Sequence, residues 1–319
     1  MRQCQISFVI PHYNSPELLI RLLKSIPDEE QLEIIVVDDQ STIDLSLAHK
    51  YIEKRKNVTF FVNDSGIKNA GTSRNIGLRH VSGKWILFAD ADDFFVDGFM
   101  DAVTPFLDSD YDMVFFPPTS MDLKTGEVSS RHVMYMEMVL NSYKNPSIKN
   151  ITEMKYAFCS PWSKLVRTDI IKDNNIQFDE VRVSNDIMCM TKCGYYCKKI
   201  GVSDRTIYCV TRGAKSLTTI SDEKRLDTRV QIFVNRYTFL REHLSKKEFS
   251  YIHLNRQGLE KILNVFNEGY GIKKAFSIMK LYRKHDIKVF DIGLLNPYTL
   301  FHKANIVLKW WFDIKKHKS

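Results

Sequence analysis

Trp85-Ile86-Leu87-Phe88-Ala89-Asp90-Ala91-Asp92-Asp93-Phe94-Phe95 is the stretch on which the reading of this chain turns. Its first five residues are apolar and follow Ser82-Gly83-Lys84, the pattern of a buried strand entered through a turn. Three carboxylates then arrive where that strand ends. Side chains alternate along extended chain, so Asp90 and Asp92 face the same way across one alanine. Two such carboxylates can share a hard cation, Mg²⁺ or Mn²⁺, leaving its other positions to water and diphosphate oxygens. The same residues also suit an acidic turn that closes the strand and caps a helix near Gly98.

Upstream, residues 6–10 form an apolar run that opens into Pro11-His12-Tyr13-Asn14. Ser15 then stands as a helix N-cap with Pro16 at the first helical position, and Leu18, Leu19, Leu22, Leu23 and Ile26 share one helical face. A second strand, 33–37, ends in Asp38-Asp39-Gln40-Ser41-Thr42; a helix over 45–54, a strand over 58–62 and a helix over 72–79 follow. This alternation predicts an α/β fold with a mostly parallel, Rossmann-like sheet. Ligands bind such sheets beyond the carboxyl ends of the strands. Tyr13, Asp38, Asp39 and the three aspartates after Trp85 therefore fall on one rim. Neither G-x-G-x-x-G after the first strand nor a P-loop motif is present, which disfavours dinucleotide and P-loop chemistry.

Four segments in order, Pro11-His12-Tyr13-Asn14, Val37-Asp38-Asp39-Gln40-Ser41-Thr42, Gly71-Thr72-Ser73-Arg74-Asn75-Ile76-Gly77 and Asp90-Ala91-Asp92-Asp93, resemble the signature of family-2 glycosyltransferases with the GT-A fold. The resemblance implies an inverting transferase that takes a sugar from a nucleotide donor, usually a uridine diphosphate sugar. It further implies that the loop holding Pro11 and Tyr13, together with Asp39, receives the base and ribose. Arg74 and Asp90 would belong to the same nucleotide site, Asp90 and Asp92 would bind the metal, and Asp93 would border the acceptor. An aromatic face, carboxylates and a guanidinium are what a nucleobase and ribose require. Asp38 is equally suited to a ligand contact or to capping and bracing its loop.

Downstream, a helix is predicted over 97–107 and a strand over 113–116, stopped by Pro117-Pro118. Residues 119–138 read as a hairpin excursion and 141–149 as a polar loop. Ser160-Pro161-Trp162-Ser163-Lys164-Leu165 and the run from Phe178 to Asp186 resemble the acceptor half of the same family. The resemblance places Trp162 on the acceptor side and makes Asp186 the catalytic base, with Asn185 where the family carries glutamate. Inversion needs such a carboxylate opposite the leaving diphosphate, to take the proton of the attacking hydroxyl. From spacing alone, Asp186 also suits the N-cap of a helix over 187–196. Residues 200–210 read as one alternating strand. The basic stretch from Arg212 through Lys215 to Thr218 resembles the family's flexible closing segment, with Arg212 or Lys215 available to a diphosphate; a solvated loop is the other reading.

A chain of 319 residues accommodates this domain, about 1–220, with a nucleotide half to about 117 and an acceptor half from 118, plus a helical domain over 221–319. The charge is uneven. Residues 224–319 carry 20 Lys and Arg against 8 Asp and Glu, a net +12, whereas residues 1–223 carry a net −4. Six cysteines without paired C-x-x-C units and without a secretory leader are expected to be reduced thiols in a cytoplasmic protein; Cys189, Cys193 and Cys197 read as core residues on one side of a helix. No apolar run is long enough to span a bilayer, so the protein is expected to be soluble or peripheral. Residues 297–318 combine Trp310 and Trp311 with several lysines and suit the inner face of an anionic membrane, where lipid-linked acceptors reside, or packing against the helical domain. The helical seam beginning at Leu226 could also join protomers of a homo-oligomer. Nucleic acid is not an expected partner. The expectation is a metal-dependent inverting transferase acting on a glycan or lipid-linked acceptor of a bacterial surface polysaccharide. Its alternatives are a nucleotidyltransferase, which would not need Asp186, and a non-catalytic adaptor.

Overall fold

The structure, a computed structural model, describes residues 4–213 and 222–289. The chain divides into two compact units, Met1–Ile220 and Ser221–Ser319.

The first unit opens with β1 (Ile6–His12), α1 (Pro16–Ser25), β2 (Leu32–Asp38), α2 (Ser46–Ile52), β3 (Val58–Val62), α3 (Ala70–His80) and β4 (Trp85–Phe88). It continues with β5 (Phe94–Phe95), α4 (Phe99–Leu107), β6 (Met113–Phe115), β7 (Thr119–Asp122), α5 (Val133–Lys144), α6 (Ile148–Ala157), β8 (Lys164–Arg167), α7 (Thr168–Asp173), α8 (Ile187–Tyr196), β9 (Ile200–Val202) and β10 (Tyr208–Arg212). Seven strands form one sheet in the order β3-β2-β1-β4-β8-β6-β9, with β8 antiparallel to both neighbours and the remaining pairs parallel. Every residue of β1 and β4 is buried, as expected of strands covered on both faces. The chain order reverses between β1 and β4, which puts the binding crevice of such a sheet at the carboxyl ends of β1, β2 and β4.

Helix α1 begins with Pro16, whose missing N–H costs nothing in the first turn, and buries Leu19, Leu22 and Leu23. Helix α3 is unusual for a short helix in being buried from Gly71 through Leu78. A Cβ on Gly71 would stand 2.2 Å from the Asp179 carbonyl oxygen, so only glycine lets the segment before α8 lie this close. The β4 aspartates do not cap the next helix: α4 starts after Gly98 in a left-handed conformation, without a side-chain cap bond.

Three expectations change. The hairpin over 119–138 is only a short β7 turn, closed by the Met121 to Val128 bridge; residues 133–144 are helical, with Tyr135, Met138 and Val139 packed toward the core. The polar loop over 141–149 shrinks to the break between α5 and α6, because Ser147 caps α6 by accepting from the Asn150 N–H. The single strand over 200–210 is two strands in different sheets. β9 ends the large sheet, whereas β10 lies between β5 and β7 in a three-stranded sheet.

The second unit is helical: α9 (Glu223–His243), α10 (Lys246–Tyr251), α11 (Leu254–Asn267) and α12 (Gly271–Lys284). Asp222 caps α9, and Ser245 with Glu248 forms a capping box on α10. His253, at φ 54°, breaks the helical path between α10 and α11. The Phe233 and Tyr282 rings meet at 5.6 Å in the small core of this unit. No described helix is long and apolar enough to cross a membrane. The expectations for residues 297–318 and Lys215 lie outside the described residues.

Candidate active site

Three loops rise from the carboxyl ends of β1, β2 and β4. The first two are tied together: Asn14 Nδ2 donates to Thr42 Oγ1, the Thr42 N–H donates to Asn14 Oδ1, and the Asn14 N–H donates to Ser41 Oγ. Tyr13 stands out from this pair, 47% exposed, with Lys68 Nζ 4.1 Å from its ring centroid. Pro11 is buried within β1.

Asp38 settles between its two readings. Its carboxylate accepts from His12 Nδ1 at 2.8 Å, from Ser41 Oγ at 2.6 Å and from the Ser41 N–H at 2.8 Å. His12 Nε2 accepts from the Ser15 N–H, so the proton sits on Nδ1, pointed at Asp38. Burial opposes ionisation of Asp38, but the His12 and Ser41 bonds outweigh it and hold the carboxyl below its ordinary range. It braces the loop. Asp39 is also buried, and its Oδ1 accepts from Asn63 Nδ2 and Ser73 Oγ, which places it between β2 and the start of α3.

The third loop is built differently. Asp90 Oδ1 takes Arg74 Nη2 at 2.5 Å, and the Asp90 N–H donates to the Tyr208 hydroxyl at 2.8 Å. The Asp92 side chain reaches solvent, while its carbonyl accepts from Arg21 and Thr211. Crowding by protein and the Asp90 charge together raise the Asp92 carboxyl above its ordinary range. Two adjacent carboxylates whose ionised forms oppose one another suit a shared cation. The donor set fits Mn²⁺ or Mg²⁺ only in part, since no cluster of three or more His, Cys, Asp or Glu among the described residues could hold an ion unaided. Further oxygens would have to come from water and a ligand.

Asp93 and Trp162 are not where the resemblance implies. Asp93 is buried; Oδ2 accepts from the Tyr208 hydroxyl at 2.9 Å and Oδ1 from the Thr211 N–H at 2.7 Å, so it ties the loop to β10 and is enclosed away from the open crevice. Burial, then Asp92 and Asp90, push its carboxyl well above the ordinary range. Trp162 is enclosed, stacked on Tyr208 at 5.7 Å and edge-on to Tyr135 and Phe158, so it supports the site from behind. Arg212 ends β10 in an exposed position.

Across the crevice, Asp186 precedes α8 with helical backbone and makes no side-chain cap bond, so its carboxylate is not committed to the helix. Burial raises its carboxyl above the ordinary range and Arg74 opposes that rise. Arg74 is the hinge of the arrangement. Its Nη1 donates to Asn185 Oδ1 at 2.9 Å while Nη2 holds Asp90, and its Cζ lies 5.2 Å from the Phe178 ring centroid. Asn185 therefore occupies the glutamate position as a neutral acceptor for the same guanidinium. Asn75 adds a two-way bond to the Phe178 backbone.

Two residues escaped the sequence reading. Tyr208 bonds both Asp90 and Asp93, yet a tyrosine in an alternating strand carries no motif. Lys164 carries no motif of its own within Ser160–Leu165. It is fully buried, with Nζ donating to the Phe158 and Ser160 carbonyls 3.6 Å from the Phe158 ring centroid, and burial lowers its pKa to about 7 against the pull of Cys159 and Asp186.

Residues 7–174 match the family described as Glycosyl transferase family 2. The poly(ribitol-phosphate) beta-N-acetylglucosaminyltransferase TarS of Staphylococcus aureus is 28% identical over 219 residues, which cover 65% of this chain and 36% of that protein. The chain thus spans about a third of that relative's length. Among solved structures, residues 1–349 of S. aureus TarS in complex with UDP-GlcNAc superpose with a TM-score of 0.67 at 24% identity, covering 85% of this chain and 77% of that one. The mannosyltransferase PcManGT of Pyrobaculum calidifontis, in complex with GDP-Man and Mn²⁺, gives a TM-score of 0.55 at 14% identity, covering 98% and 88%. Both share the fold.

Proposed function

The chain belongs to glycosyl transferase family 2, and we propose that it transfers a sugar, with inversion, from a uridine diphosphate donor to a hydroxyl of a bacterial surface polysaccharide. One observation carries this reading. Arg74 bonds Asp90 of the acidic pair and Asn185, the residue before Asp186, so the uncommitted Asp186 carboxylate and the acidic pair flank one guanidinium.

In this reading Tyr13 offers its open face to the base, and Asp39 and Arg74 serve the ribose and the donor site. Asp90 and Asp92 would hold Mn²⁺ or Mg²⁺, which stabilises negative charge on the departing diphosphate. Asp186 takes the proton of the acceptor hydroxyl while that oxygen attacks the anomeric carbon and the bond to the diphosphate breaks on the opposite face. The raised carboxyl pKa of Asp186 suits a group that must accept a proton near neutral pH. Arg212 and Lys215 would meet the diphosphate from the loop after β10. Relatives named as poly(ribitol-phosphate) glycosyltransferases support a phosphate-rich glycan acceptor of that kind.

The test is release of nucleoside diphosphate from a panel of uridine diphosphate sugars, with Mn²⁺, Mg²⁺ or chelator. Release from one donor is expected, stopped by chelator and by Asp92→Ala; with acceptor supplied, Asp186→Asn should lower transfer by about 10²–10⁴-fold. No release, together with no calorimetric binding of uridine diphosphate, would overturn the reading.

A further inference from the structure

We propose that α12 carries a docking strip for an anionic lipid surface. This goes beyond the reading above and is independent of its catalytic part. Large apolar side chains of the described second unit stand exposed at three places, and all three are on α12: Ile272 and Phe276, each 59% exposed, and Met279, 39% exposed. Their spacing of four and three residues puts them on one strip, distinct from the buried Ala275, Ile278 and Tyr282 that hold the helix to its core.

Charge identifies the occupant. Lys280 follows Phe276 by one turn and Arg283 follows Met279 by one turn, so basic groups border the apolar strip, joined by exposed Lys273 and Lys284. Helix α12 contains no Asp or Glu. Lys274, by contrast, is turned to α9 and paired with Glu223 at 2.9 Å and Asp227 at 2.6 Å. Among the described residues no carboxylate lies within ion-pair distance of Lys273, Lys280, Arg283 or Lys284. An apolar strip bordered by unpaired cations, in a region of net charge +12, complements a surface that is apolar beneath and negative on top. An apolar partner protein would not need the cations, and an acidic polymer would not need Phe276.

The experiment is flotation of the full chain with vesicles of phosphatidylglycerol and phosphatidylcholine, against phosphatidylcholine alone. Binding is expected only to the anionic vesicles and should weaken with salt. Phe276→Gln with Met279→Gln should reduce partitioning by about tenfold, and Lys280→Gln with Arg283→Gln by roughly thirtyfold, at about 1 kcal/mol per charge. Both double variants should keep the wild-type circular dichroism and donor hydrolysis, because these side chains are exposed. Three results would overturn the proposal: no binding to anionic vesicles, binding unchanged in both variants, or a fall in molecular mass by light scattering on substitution, which would make a second copy the occupant. Loss of donor hydrolysis with vesicle binding intact would sink the catalytic reading and leave this one standing.

Discussion

Two acidic clusters stand at the carboxyl ends of β2 and β4, the strands on either side of β1, and they are electrostatic opposites. After β2, Asp38 receives three donors and is held below its ordinary range. After β4, burial first and carboxylate neighbours second push Asp92 and Asp93 upward, Asp93 in spite of the donors it receives from Tyr208 and Thr211. Sequence alone presents two Asp-Asp pairs at strand ends. The lesson is that donors can outweigh burial and hold an aspartate ionised, as at Asp38, whereas burial beside like charges leaves Asp92 a group whose ionised form calls for a cation.

The largest effect that could break this contrast is on turnover. Asp92→Ala should lower donor hydrolysis by about a thousandfold, equivalent to about 4 kcal/mol of lost charge stabilisation; a fall under tenfold would remove Asp92 from the site. Asp38→Ala should act on stability, unfolding at lower denaturant by about 1–3 kcal/mol because His12 and Ser41 lose a buried acceptor. Its donor affinity should change much less, as read by calorimetry. Tyr208→Phe removes the hydroxyl shared by Asp90 and Asp93 and should cost about tenfold in rate with little change in nucleotide affinity.

The sharpest distinction is one of sign. Asp38 has a depressed folded pKa, so its contribution is present above the ordinary carboxylate value and is lost as pH falls through the lower folded one. Asp92 has a raised folded pKa, so its ionised form costs stability at neutral pH, and that cost vanishes in acid. Asp92→Asn should therefore melt slightly higher than wild type at pH 7 and equally near pH 3. Added Mn²⁺ should raise the melting temperature of wild type but not of the variant. Differential scanning fluorimetry across pH reads both.

The sheet was legible because buried strands and amphipathic α1 leave periodic traces and rim loops leave aspartates. The half after Pro118 was harder for identifiable reasons. In α5 the residues from Val133 to Leu140 are apolar except Glu137, and Met134 among them is exposed, so no clean helical period sets off Tyr135, Met138 and Val139; the capping Ser147 lies beside Pro146, which looks like a loop. Between Ile200 and Val210 the switch of sheets is marked only by the polar run Ser203-Asp204-Arg205-Thr206, which a reading of one alternating strand passes over. Asp93 and Trp162 show the limit of reading roles from motif position: each lies beside the site, but partners far along the chain, Tyr208 and Thr211, decide which way each is used. Asp186 was the reverse case, since its freedom from the helix cap is visible only in three dimensions.

The Arg74 and Asn75 contacts also bear on how the site comes into being. Arg74 meets Asn185 across 111 positions, and Asn75 meets Phe178 across 103. Closing loops of that length is entropically costly and follows the local assembly of strands and helices. The crevice is thus expected to be completed late in folding. Until the segment from Phe178 to Asn185 has been synthesised, Arg74 and Asn75 lack these partners, and the aspartates on the rim do not yet make a place for a donor.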